Sequence, residues 1–206
     1  VPKSSKAKAK RQLFQPLMIL NLEFNYRPKA SLQKMRDASI SVPFVDIPFS
    51  PYKLTMSMFL AELLGYATRA EQQGDALFHF LMDSILWLDQ AESNFSNFHI
   101  VFMIKLTAYL GFFPNIESGA GMDYFDLVDG CFVSAVPTHR NYLDAEDSMR
   151  MVHLLRLDYK TMHLYTMSRS DRNRCIEVLL LYYRIHLPSF PELKSYSVLK
   201  DMFSTM

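Results

Sequence analysis

Cysteine is nearly absent: Cys131 and Cys175 are the only two in 206 residues. Two thiols cannot build a disulfide framework or an all-cysteine zinc site, and so low a count fits a reducing compartment. Glycine is scarce, six residues against sixteen Phe, eleven Tyr and thirteen Met. That balance argues for helices packed through aromatic and Met side chains, not for a turn-rich barrel throughout. No apolar run approaches the roughly 20 residues that a membrane-spanning helix requires, so no membrane is expected as a partner. The basic opening does not read as a secretory signal, and a cytoplasmic location is the expectation. Acid is missing from one end: Glu23 is the only acidic residue before Asp37.

Chemical motifs are missing too. There is no glycine-rich phosphate loop, no serine nucleophile elbow and no paired zinc-ligand motif. His79, His99, His139, His153, His163 and His186 are scattered, and none stands four residues from another with a Glu between. A lone histidine in a helical protein is usually structural. The reading is a chain with no catalytic residues and no cofactor, not an enzyme.

What is present is a charge gradient hidden under a net charge of +1. From Val1 to Arg36 there are nine Lys and Arg against Glu23 alone; from Asp37 to Met149, four basic against fifteen acidic; from Arg150 to Met206, nine basic against five acidic. Basic ends around an acidic middle are a prior for polyanion binding by the ends, because phosphate contacts follow local potential and not net charge. A solvated Lys-rich leader is the plainer alternative.

Residues 1–12 have no apolar face and read as a loop. Leu17 to Tyr26 reads as a strand, Leu20, Leu22, Phe24 and Tyr26 alternating with Asn21, Glu23 and Asn25 as in a half-buried sheet. Arg27-Pro28-Lys29-Ala30 is a turn. Ser31 to Ser41 returns as a second strand, with Leu32, Lys34 and Arg36 on one face and Gln33 and Met35 on the other. Two strands do not stand alone in water. The chain opens on Val1 and not Met, so the partner strands are expected in residues missing ahead of it. Pro43, Pro48 and Pro51 make 42–51 a linker.

A helix then opens at Ser50-Pro51 and runs to about Glu71, with an apolar stripe at Leu54, Met58, Ala61, Leu64 and Ala67 or Thr68. A second, Asp75 to about Ala91, turns Leu77, Phe80, Leu81, Ile85 and Leu88 inward and Asp83 and Asp89 outward; Trp87 reads as core. The stretch from Asn97 to Pro114 is apolar nearly all round and reads as the central helix, ended by Gly111 and Pro114. Tyr124 to Val133 reads as a hairpin about Asp129-Gly130. Asp144 caps a helix to about Leu157, a short one covers Thr161 to Met167, and Ser170 caps another to Leu187. Ser195 or Ser197 begins the last. The fold class is α+β, mostly α: a β unit over 1–41, the linker 42–51 and a helical body over 52–206 with one hairpin insertion.

Five short runs in this order resemble the RecO family of DNA recombination and repair mediators, in style its Bacteroides-type branch. They are Leu13-Phe14-Gln15-Pro16-Leu17 after the Lys-rich stretch; Phe59-Leu60-Ala61-Glu62-Leu63; Lys105-Leu106 to Leu110-Gly111-Phe112-Phe113-Pro114; Phe125-Asp126 to Gly130; and His186-Leu187-Pro188-Ser189-Phe190 to Leu193-Lys194-Ser195. The resemblance spans nearly the whole chain. It implies an N-terminal OB-fold, here partial, before a helical domain. It also implies binding of single- and double-stranded DNA, strand annealing in recombination of the RecFOR type, help in loading a recombinase, and contacts with RecR and with the C-terminal tail of the single-strand-binding protein.

Many members of that family carry two Cys-x-x-Cys pairs after the Leu-Gly-Phe-x-Pro motif. Here that region holds Ser118, Gly119, Ala120 and Gly121, then Ser134 and Pro137, and Cys131 alone cannot replace four ligands. No structural zinc is expected, the hairpin being held by Phe125, Leu127, Phe132 and Val133; one tightly held zinc per chain on metal analysis would overturn that.

An OB barrel grips single strands with a basic groove and aromatic stacking. Lys3, Lys6, Lys8, Lys10, Arg11, Arg27, Lys29, Lys34 and Arg36 would meet phosphates. Tyr26 would stack on bases or pack inside the barrel. Arg169, Arg172 and Arg174 surround a helix N-terminus, which favours anions; they would extend the DNA path, receive an acidic tail, or form a solvated face. The rival reading is a non-catalytic helical scaffold for protein partners, without DNA binding.

Overall fold

A computed structural model of the chain describes residues 12–30, 32–69, 74–116 and 123–202. Strands β1 (Ile19–Asn25) and β2 (Lys34–Val42) pair antiparallel. Leu20 lies opposite Ile40, Leu22 opposite Ala38 and Phe24 opposite Met35, so one face of the hairpin is apolar. The pairing skips Arg36 and Ser41, and the extra residue at each bulge breaks the period of two. Lys34 and Met35, opposite Asn25 and Phe24, lie on opposite faces as predicted; strict alternation fails one residue later, at the bulge of Arg36, so that Met35 shares the apolar face with Ala38 and Ile40. Strand β1 is not half-buried as its alternation predicts. Leu22 is 51% exposed and Phe24 52%, because no described element covers them.

The prolines do not make a slack connection. The Asp89 carboxylate accepts hydrogen bonds from the backbone N–H groups of Val45, Asp46 and Ile47 at 2.8–3.0 Å. Lys53, only 1% exposed, reaches the Asp46 carboxylate at 2.7 Å and donates to the Asp89 carbonyl at 3.0 Å. Asp89 thus faces inward and not outward: three N–H donors and a buried ammonium nearby supply what water would otherwise provide.

The helical body follows. Helix α1 (Pro51–Ala67) is capped by Ser50, whose hydroxyl accepts from the Lys53 N–H. Its buried face is Met56, Phe59, Leu60, Leu63 and Ala67 with Lys53, Thr55 and Ser57. The predicted stripe was a neighbouring one, and Met58 is exposed. The helix is apolar on most sides, so periodicity could not choose its face. Helix α2 (Asp75–Gln90) packs against α3 (Phe98–Tyr109). Trp87 stacks on Phe98 (centroids 5.6 Å apart) and Tyr159 (5.2 Å), a core position as read.

In α3 every residue from Phe98 to Thr107 is buried except half-buried Lys105, as expected of a central helix. Gly111, at φ +82°, turns the chain after it. Strands β3 (Tyr124–Asp126) and β4 (Cys131–Val133) form the predicted second hairpin, and β5 (Tyr142–Leu143), not foreseen, adds to its β3 edge. Phe125, Leu127 and Phe132 are buried and Val133 half-buried.

Helix α4 (Ala145–Leu155) is capped by Asp144 as predicted. A single 3-10 turn (Met162–Leu164) stands where a short helix was read. Helix α5 (Arg169–His186) starts at a capping box of Ser168 and Asp171, so Ser168 and not Ser170 is the cap. Tyr183 of α5 is buried and donates to the Met103 carbonyl at 2.8 Å, tying α5 to α3. Helix α6 (Ser195–Met202) is capped in trans: the Glu62 carboxylate of α1 accepts from the Lys194 and Ser195 N–H groups and the Ser195 hydroxyl. Burial pushes the Glu62 pKa up, but those hydrogen bonds outweigh it and the net shift is downward.

Candidate nucleic-acid interface

The tip of the first hairpin is fixed by its own side chains. The Ala30 N–H donates to the Arg27 carbonyl at 3.1 Å, closing the predicted turn. Gln33 clamps the turn from the far strand: its Oε1 accepts from the Arg27 N–H at 2.8 Å, and its Nε2 donates to the Arg27 and Ala30 carbonyls at 2.9 and 3.2 Å. No motif singled out Gln33; its place beside a turn is the only local hint. Around this tip, Arg27, Lys29, Lys34 and Arg36 are all exposed, and Tyr26 is 73% exposed. Lys34 sits opposite Asn25, one residue from Tyr26. These five are brought to one end of the hairpin. Lys3, Lys6, Lys8, Lys10 and Arg11 lie outside the described residues.

The second basic group is divided. Arg174 Nε and one terminal nitrogen both reach Asp147 Oδ2, at 2.8 and 2.7 Å. Arg150, which the sequence reading did not single out, bridges Glu146 (2.5 Å), Asp147 (3.3 Å) and Asp171 (3.0 Å). This network ties α4 to α5 and sets carboxylates beside Arg174. Arg172 points elsewhere. Its Nε donates to Asn97 Oδ1 at 3.2 Å and a terminal nitrogen to the Met167 carbonyl at 3.5 Å. Asn97 in turn donates to the carbonyls of Met162 and Tyr165 at 3.0 and 2.9 Å. Burial lowers the pKa of Arg172, which stays charged at neutral pH because a guanidinium titrates so high. Arg169 is exposed. At the helix end that these arginines surround, the Asp171 N–H is taken by Ser168 Oγ at 3.1 Å.

The described histidines and cysteines are held as follows. Burial, and then the charge of Arg172, hold the His99 pKa down to about 3, so it is neutral at physiological pH. His139 Nε2–H donates to Asp126 Oδ2 at 3.1 Å, while its Nδ1 accepts from the Asn141 N–H at 3.2 Å. Burial pushes the Cys175 thiol up to about 11 and, with Asp129 and Asp126, raises that of Cys131, the state of unreactive thiols. Among the described residues no group of three or more His, Cys, Asp and Glu gathers as a metal site, and Ser118 to Gly121 lie outside them. Among those residues, no helix is long and apolar enough to cross a membrane.

Comparison with known proteins places the chain. The family described as "Recombination protein O C terminal" matches residues 48–196, from the end of the proline segment into α6. The DNA repair protein RecO of Phocaeicola vulgatus is 46% identical over 204 residues, covering 99% of this chain and 85% of that protein. RecO of Bacteroides fragilis is 44% identical, covering 98% and 84%. RecO of Azobacteroides pseudotrichonymphae is 33% identical, covering 98% and 83%. A helical body matched from linker to last helix, with a basic hairpin ahead of it and identity carried along nearly the full length, shows that this chain belongs to the RecO family of DNA repair proteins.

Proposed function

We propose that the chain is a non-catalytic, cytoplasmic recombination mediator that binds single- and double-stranded DNA, anneals complementary strands and helps load a recombinase onto single strands. In this reading residues 1–41 are part of an OB-type barrel, 42–51 connect it and 52–206 form the helical body. RecR and the C-terminal tail of the single-strand-binding protein are its protein partners, and no cofactor takes part. The observation that carries the reading is the hairpin tip, where Tyr26, 73% exposed, stands among exposed Arg27, Lys29, Lys34 and Arg36. An aromatic ring offers a base about 1–3 kcal/mol of stacking, and the cations around it draw the backbone in by releasing counterions. Annealing then needs no hydrolysis. Neutralising two polyanions lowers their repulsion, and base pairing drives the step. The uncovered apolar face of Leu22, Phe24 and Met35 supports a barrel, since such a face is what further strands would bury.

The test is binding of a labelled oligonucleotide across a salt series, with annealing of complementary strands alongside. The logarithm of affinity should fall with that of salt by about 0.7 per phosphate neutralised on single strands. Changing Lys6, Lys8 and Lys10 to Glu should remove much of the affinity, and Tyr26→Ala should weaken single-strand binding more than double-strand binding. No binding at low salt would overturn the reading and favour a helical scaffold for protein partners.

A further inference from the structure

Leu32 is 87% exposed, and among the described residues no other large hydrophobic side chain is as open to solvent. It lies on the chain leaving the Arg27–Ala30 turn, beside the clamp residue Gln33 and two residues before Lys34. A single exposed leucine is ordinary on a protein surface; its setting here is not. The turn beside it is held stiff. Pro28 fixes one of its backbone torsions, the Ala30 N–H closes it, and the three hydrogen bonds of the Gln33 side chain tie down both of its ends. The cations of the same tip, Arg27, Lys29 and Lys34, are exposed, and none of them forms an ion pair. The nearest acids in sequence, Glu23 and Asp37, face each other beyond the Arg36 bulge.

We propose that Leu32 is a wedge that enters between two neighbouring bases of a bound single strand, so that the tip favours weakly stacked, thymine-rich strands over stacked runs of adenine. The inference rests on the DNA-binding reading above and names the residue that sets its base preference. Aliphatic side chains, leucine among them, are inserted between base steps in protein–DNA complexes and part the bases there. Such a contact asks for an apolar side chain projecting into solvent, a support that does not give way, and cations to hold the backbone alongside. The tip supplies all three. Base preference in single-strand binding follows the strength of the stacks that must be broken, not hydrogen-bond readout, so a wedge translates directly into a choice of sequence.

Tyr26 and Leu32 offer a strand different things. Tyr26 presents a flat ring on which a base can lie. Leu32 has no ring and gains only by exchanging the water around it for the apolar faces of bases. A tip already fixed by Gln33 makes that exchange easier, because no loop has to be ordered first. The charge around Leu32 points to the kind of partner. A polynucleotide brings base faces and phosphates together at every residue, and so meets the leucine and the unpaired cations at once. Anionic lipid also brings phosphates, but binding by insertion there scales with the apolar area buried, and one leucine offers little.

The experiment measures binding of the whole chain to oligothymidylate, to oligoadenylate and to a strand carrying aminopurine between two adenines, whose emission is quenched while it is stacked. The parent should bind oligothymidylate more tightly than oligoadenylate and should raise the aminopurine emission. Leu32→Ser should bind oligothymidylate about tenfold more weakly, the share of one buried side chain, lose the emission rise, and narrow the gap between the two homopolymers. Its salt slope should equal the parent's, because no phosphate contact is lost; Arg27→Gln should keep the emission rise and lower the slope by about 0.7. Leu32→Met should retain the rise. Circular dichroism checks each fold, and at so exposed a position no loss is expected. Parent affinity and emission in Leu32→Ser overturn the wedge and leave the DNA-binding reading standing. Absence of DNA binding in the parent overturns both. A Leu32→Ser variant that keeps DNA but loses phosphatidylglycerol vesicles assigns the tip to a lipid surface and overturns the proposal.

Discussion

The first hairpin and helix α3 are both apolar stretches, and the molecule treats them in opposite ways. From Phe98 to Thr107 all but Lys105 of α3 is buried, with α2, α4 and α5 packed on it. In the hairpin Leu22, Phe24, Tyr26, Met35 and Ile40 are exposed although they share the pattern of a half-buried sheet. Apolar sequence states what a segment can bury; neighbours decide whether it does. The same hydrophobic side chain is therefore a stability determinant in one region and a surface in the other.

Truncation should make that contrast measurable. The largest effect is expected in α3: Phe102→Ala, at a fully buried ring between Phe80 and Phe98, should cost about 3–5 kcal/mol in denaturant unfolding, as ring-sized cavities do. A loss below about 1 kcal/mol would dissolve the distinction. Next comes the joint between the regions. Asp89→Ala leaves three linker N–H groups without their carboxylate acceptor and loosens the seat of Lys53. Breaking a buried charged site of this kind costs about 3 kcal/mol or more. Faster amide exchange at Val45, Asp46 and Ile47 than in the parent would mark the joint as the place of failure.

A pH-dependent effect, smaller per pH unit, belongs to the core alone. His99 has its folded pKa lowered from 6.5 to about 3, so the stability tied to its neutral form is present above pH 6.5 and is lost as pH falls below it. The unfolded chain takes up a proton that the folded one refuses. Between those values stability should drop by up to about 1.4 kcal/mol per pH unit from this group, and a folded His99→Gln variant should lack that share of the slope. The smallest effect is expected in the hairpin: Leu22→Ser should change stability by no more than about 0.5 kcal/mol, as exposed substitutions do. A larger loss would mean that this face is covered in solution.

Much of this fold could be read from residue order. The central helix, the turn at Arg27–Ala30, the caps at Ser50 and Asp144 and the second hairpin are local signals, set by periodicity, capping chemistry and turn residues within a few positions. The buried face of α1 was misread because a helix apolar on several sides gives no phase. In β2 the opposition of Lys34 and Met35 was legible, but the bulge at Arg36 adds one residue with no warning in the pattern and shifts the faces beyond it. Of the candidate site, the cations and Tyr26 could be listed from sequence. That Arg174 is held by Asp147 while Arg172 turns to Asn97 could not, since Asp147 is 27 residues from Arg174 and Asn97 is 75 from Arg172.

By itself the sequence determined the alternation of helices and hairpins, the basic end against the acidic middle, and a family kinship carried by short runs in a fixed order. Only tertiary structure decided which charges are spent inside the fold and which face outward. The Asp89 clamp, the trans cap from Glu62 and the aiming of Arg172 each join groups tens of residues apart. Hydrogen bonds and desolvation act on distances in space, and sequence spacing fixes those distances only within a turn or a helix.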